Sequence, residues 1–81
     1  MKREISIKCQ WLNTEETPAK VIRWLVAEGD HVEIDQDILV ILLTEGEFVV
    51  PSPVDGMIQT IIAEPGEIID PDQELAVIRI D

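Results

Sequence analysis

With 81 residues and a formal net charge of −11, this chain has room for one shared core that buries about 60% of its unfolded surface, and too little bulk for a deep substrate cleft. A hydrophobic fraction of 46% argues against disorder, and no apolar run approaches the ~20 residues of a membrane span. The acid excess repels nucleic acid and anionic membranes, and the single cysteine, Cys9, excludes an internal disulfide and suits a reducing compartment.

The N-terminal Met1-Lys2-Arg3-Glu4 leads into alternating polar and apolar residues rather than a signal-peptide core, so a cytoplasmic protein or an excised domain is expected. From there the apolar residues fall in short β-branched runs at 5–7, 21–26, 38–43, 48–50, 57–62 and 75–80, with shorter ones at 32–34 and 68–69. Gly, Pro and Asp clusters separate them, which predicts strands and turns in a small all-β sandwich or flattened barrel. Charge is uneven along the same path. Residues 1–23 hold five basic and three acidic side chains, whereas residues 24–81 hold fourteen acids against Arg79 alone. Such a surface steers a basic partner, or the acids simply keep a small apolar domain soluble.

The chain repeats itself at an offset of 37 residues. Val26-Ala27-Glu28-Gly29-Asp30 aligns with Ala63-Glu64-Pro65-Gly66-Glu67, and Asp35-Gln36-Asp37-Ile38-Leu39-Val40-Ile41 with Asp72-Gln73-Glu74-Leu75-Ala76-Val77-Ile78. Each half, roughly 19–43 and 56–80, reads strand, Gly turn, short strand, Asp-Gln turn, strand. Halves this small cannot each bury a core, so they should pack face to face about a pseudo-twofold axis. One domain over 1–81 is expected. Between the halves, Leu43-Thr44-Glu45-Gly46-Glu47 predicts a tight hairpin. Pro51-Ser52-Pro53 then takes the chain out of the sheet, because proline cannot donate in a central ladder.

These segments resemble the lipoyl domains of 2-oxo acid dehydrogenase acyltransferase subunits, in the lipoyl/biotinyl-attachment family. The residues that carry the likeness are Val21-Ile22-Arg23-Trp24-Leu25-Val26-Ala27-Glu28-Gly29-Asp30, the crossover Val50-Pro51-Ser52-Pro53-Val54-Asp55-Gly56 and the closing strand Asp72-Gln73-Glu74-Leu75-Ala76-Val77-Ile78. The likeness implies a barrel-sandwich hybrid, a flattened barrel of two four-stranded sheets, with an attachment lysine at a hairpin tip. In the family that lysine stands in Asp-Lys-Ala, six residues before the first crossover proline. Counting back from Pro51 gives Glu45, within Thr44-Glu45-Gly46. Lipoylation and biotinylation both form an amide on a lysine amine, and the chain's lysines are Lys2, Lys8 and Lys20. Neither lipoate nor biotin is therefore expected at Glu45.

Two further departures concern contacts. Where lipoyl domains show Leu-Gly-Glu, in a loop that meets the decarboxylase, this chain has Leu12-Asn13-Thr14, followed by Glu15, Glu16 and Pro18. On the hairpin, a turn at Thr44–Glu45 sets Val40 opposite Val49 and Leu42 opposite Glu47, with Ile41, Leu43, Phe48 and Val50 on the other face. Positions that are acidic or polar in lipoyl domains thus become apolar at Val40, Leu42 and Val49, which makes them a candidate interface; the alternative is that a neighbouring segment covers them.

No catalytic residues are expected. His31 has no nucleophile and base arranged around it, and Cys9 beside Lys8 reads as a structural strand cysteine. Trp24 reads as strand packing, while Trp11 is open to either reading. No metal site is expected, since Asp30, His31, Glu33, Asp35 and Asp37 miss the calcium-loop spacing. A second acid-rich turn at Glu67, Asp70, Asp72 and Glu74 makes both solvated turns. The expected function is a non-catalytic interaction or assembly module without a cofactor. Its partner would be a 2-oxo acid dehydrogenase component or a second copy. The alternatives are a degenerate group carrier and the lipoyl-like part of a membrane-fusion adaptor.

Overall fold

The apolar runs become strands, and the Gly and Asp-Gln turns separate them. A computed structural model describes residues 3–8, 19–44, 46–70 and 72–80. Its strands are β1 (Arg3–Ile7), β2 (Ala19–Trp24), β3 (His31–Val32), β4 (Asp37–Leu43), β5 (Gly46–Pro51), β6 (Gly56–Ile61), β7 (Ile68–Ile69) and β8 (Ala76–Ile80). They form two four-stranded sheets of order β1-β8-β6-β3 and β5-β4-β2-β7, antiparallel at every pairing. Among the described residues there is no helix. The architecture is the expected barrel-sandwich hybrid.

Strand alternation supplies the core. Val21, Ile41 and Val50 from one sheet meet Ile7, Ile58 and Ile78 from the other, all buried in a single cluster. Each such side chain contributes roughly 1.5–3 kcal/mol on burial. A register shift between Asp37 and Leu39 lets Ile38 and Leu39, adjacent in sequence, both join that cluster, because a bulge puts consecutive residues on one face. Trp24 packs at the margin of the core, and its Nε1 donates to the Ala63 carbonyl at 2.8 Å. It is a packing residue, as its strand context predicts.

The repeat is visible bond by bond. Gly29 N donates to Ile58 O at 2.7 Å, and 37 residues on Gly66 N donates to Val21 O at 2.7 Å. Ile58 N returns a bond to Asp30 O at 2.9 Å, as Val21 N does to Glu67 O at 2.9 Å. Each half thus closes its Gly turn on the other half's strand. Gly29 and Gly66 share a left-handed backbone, with φ of 93° and 89°. Register shifts fall between Val21 and Arg23 in β2 and between Ile58 and Thr60 in β6, again 37 apart. These reciprocal bonds are the physical content of the pseudo-twofold axis.

Candidate functional site

The candidate site lies at the turn end of the β4–β5 ribbon. Its register pairs Leu43 with Gly46, Leu42 with Glu47, Ile41 with Phe48, Val40 with Val49 and Leu39 with Val50. This is the pairing that a turn at 44–45 dictates. Thr44 is exposed in the turn, and Gly46 closes it at φ 135°. Glu45 lies outside the described residues, as do Cys9, Trp11 and the loop residues Leu12, Asn13, Thr14, Glu15, Glu16 and Pro18. Of the lysines, Lys8 follows β1 and Lys20 is a strand residue of β2 whose Cα partners are Leu42 and Ile68.

The candidate trio divides. Leu42 and Val49 are 39% and 45% exposed, but Val40 is only 4% exposed and stands outside the core cluster. This corrects the expectation of a three-residue exposed patch. Val40 lies on an inner strand between Arg23 of β2 and Val49 of β5, and a short side chain between such neighbours is shielded by them. Phe48 departs in the opposite sense. It shares the face of Ile41 and Val50, yet it is 39% exposed, because among the described residues β5 has β4 as its sole neighbour.

Two rows of directly opposed residues cross the outer face of this sheet. One runs Ile68, Lys20, Leu42, Glu47, all exposed, and the other Arg23, Val40, Val49. Ile68, at 62% exposure, belongs beside Leu42 through Lys20. Sequence reading missed it because β7 is distant along the chain. The 37-residue offset aligns Ile68 with His31 of the opposite sheet and does not by itself place it beside Leu42.

Three carboxylates in or near the turns bond backbone donors. Asp30 Oδ2 accepts from Ala27 N at 2.9 Å, Glu28 Oε2 from Ile61 N at 2.8 Å, and Asp55 Oδ1 from Ile34 N at 2.7 Å. Gln36 and Gln73 serve equivalent turns, accepting from Glu33 N at 3.0 Å and Asp70 N at 3.4 Å. Such bonds satisfy backbone donors that the strands leave unpaired. Among the described residues no group of three or more His, Cys, Asp or Glu side chains is placed to hold a metal ion.

A flattened pair of four-stranded sheets with a hairpin presented at one end defines the class of the biotin and lipoyl domains. Residues 13–78 match the biotin/lipoyl family, described as biotin-requiring enzyme, and the chain belongs to that family. Over 73 residues it is 32% identical to the dihydrolipoyllysine-residue acetyltransferase component of the pyruvate dehydrogenase complex of Corynebacterium glutamicum, matching 90% of this chain and 11% of that protein. Over 57 residues it is 37% identical to the dihydrolipoyllysine-residue succinyltransferase component of the 2-oxoglutarate dehydrogenase complex of Buchnera aphidicola, matching 70% of this chain and 14% of that protein. The chain thus spans only about a tenth to a seventh of these relatives' length. The crystal structure of Kluyveromyces lactis urea carboxylase superposes with a TM-score of 0.78 at 22% identity, over 94% of this chain and 6% of that one. This last likeness concerns the fold alone. Members of the family carry lipoate or biotin covalently on a lysine.

Proposed function

We propose that this chain is a lipoyl-type domain that carries neither lipoate nor biotin and acts through protein contacts. The observation that carries this reading is the tripeptide Thr44-Glu45-Gly46 at the β4–β5 turn. Attachment requires a nucleophilic amine, and this turn has a hydroxyl, a carboxylate and no side chain at all. The residues present do not fit the group. Lys20 offers an amine, but from the middle of a sheet rather than from the turn. The likeness to two acyltransferase components favours a 2-oxo acid dehydrogenase complex as the setting. The module would serve there in assembly or regulation, with no catalytic residues of its own.

Intact-mass measurement after co-expression with a lipoate ligase and with a biotin ligase tests the reading. The wild-type chain is expected at its unmodified mass. Glu45→Lys serves as the positive control, since an adduct on it demonstrates that the ligase accepts this fold. A lipoyl or biotinyl adduct on the wild type overturns the reading.

A further inference from the structure

The internal repeat makes each sheet a reference for the other. β5 against β4 and β1 against β8 align Gly46 with Arg3, Glu47 with Glu4, Phe48 with Ile5, Val49 with Ser6 and Val50 with Ile7. Three of these positions keep their chemistry, among them the buried Val50 and Ile7. The other two change in the same direction. Edge strands are protected from foreign strands by charged and polar side chains. β1 has Arg3 and Ser6 where β5 has Gly46 and Val49. Behind the edge the changes run both ways: Leu42 stands in the place of Arg79 and Ile68 in that of His31, while Lys20 stands in that of Met57 and Arg23 in that of Thr60. Both sheets have the same topology, so the fold itself does not demand the apolar Val49 on the edge or Leu42 beside it.

We infer that β5 is a self-pairing edge, through which two copies of this chain join antiparallel, so that the β5 sheet of one and the β5 sheet of the other form a single sheet of eight strands. This deepens the contact reading above by naming the partner. The self-complementary order of β5 fits a second copy, and its single charge permits the pairing. Glu47, the one charge on β5, lies near one end of the strand, and Pro51 closes the other. Antiparallel apposition about Val49 keeps the two carboxylates apart by setting Glu47 against Pro51 of the second copy, where proline has no N–H to donate, so the ladder is confined to the residues around Val49. It also completes a row that reads Arg23, Val40, Val49, then Val49, Val40, Arg23 of the second copy, four valines flanked by cations. A contact of this kind is isologous and closes on itself as a dimer. The opposing term is the net charge of −11 on each copy, a repulsion that salt screens. Self-pairing should therefore tighten as sodium chloride is raised, the reverse of a contact held by opposite charges.

Sedimentation equilibrium across a protein concentration series, at low and at high sodium chloride, tests the proposal. The wild type is expected to be a dimer whose population grows with salt. Val49→Ser installs the residue that the other edge already carries, and it should leave a monomer with an unchanged circular dichroism spectrum. Val49→Lys, a charge on an exposed edge position, provides a second variant and should do the same. A wild type that stays monomeric at high salt overturns the inference, as does a Val49→Ser variant that associates like the wild type. The ligase experiment is independent of both. An adduct there defeats the contact reading, whereas a monomeric and unmodified wild type defeats the dimer alone.

Discussion

Gly56 shows how little room single positions leave. A Cβ there would collide with the carbonyl oxygen of Arg79 and approach Cγ2 of Ile78 at 2.8 Å. Backbone on a paired strand cannot swing aside as a flexible side chain can. Gly56→Ala is therefore expected to cost about 1–3 kcal/mol, the range for overpacking a well-filled site, measured as a fall in the urea midpoint at constant m-value. A variant as stable as wild type would show that β6 and β8 can separate locally. Single residues are also where sequence reading was least complete. Gly56 reads only as part of a crossover motif, because nothing in the sequence places it against Arg79. Val40 reads as a surface valine by alternation, yet its neighbours in β2 and β5 bury it. The identity of residue 45 needs no structure at all, since the attachment chemistry depends on side-chain type.

At the scale of elements, the hairpin register and the turns were legible because both follow from local chemistry. A polar turn at 44–45 leaves one register open, and the pairing of Val40 with Val49 and Leu42 with Glu47 follows from it. The exposure of Phe48 was not legible in the same way. Alternation assigns it to the core face, but only sheet order shows that β5 is an edge among the described residues. The two Gly turns give the element-scale prediction. Gly29 and Gly66 both adopt left-handed φ near 90°, and a Cβ at either would meet nothing within 4 Å. The cost of an alanine there is purely one of backbone conformation, roughly 1–2 kcal/mol. Gly29→Ala and Gly66→Ala should thus lower the unfolding free energy by equal amounts, and chemical denaturation of the two variants side by side measures both. A difference above about 1 kcal/mol would mean that the halves are not energetically equivalent despite their shared bonds.

For the whole molecule, the two-sheet fold was legible because the repeat restricts it. Two halves that share strand and turn order must bury their apolar faces against each other, and the reciprocal bonds Gly29 to Ile58 and Gly66 to Val21 are the outcome. The distribution of charge sets the remaining prediction. The chain carries a net charge of −11, and its body measures 39 × 20 × 19 Å. At about 0.01 M salt the screening length is roughly 30 Å, so nearly every carboxylate repels every other; at 1 M it is about 3 Å, and only immediate neighbours interact. Unfolding spreads these charges apart, so the folded state bears most of the repulsion. The melting temperature should therefore rise from low to moderate sodium chloride and level off once the screening length falls below the spacing of the acid-rich turns. The measurement belongs on Val49→Ser, so that a salt-promoted dimer does not add its own stabilisation. It belongs in chloride rather than sulfate, which strengthens apolar burial by exclusion from the surface. A melting temperature that stays level or falls would show that the acids are already offset locally. The backbone N–H donors that bond Glu28, Asp30 and Asp55 are the groups in place to do so.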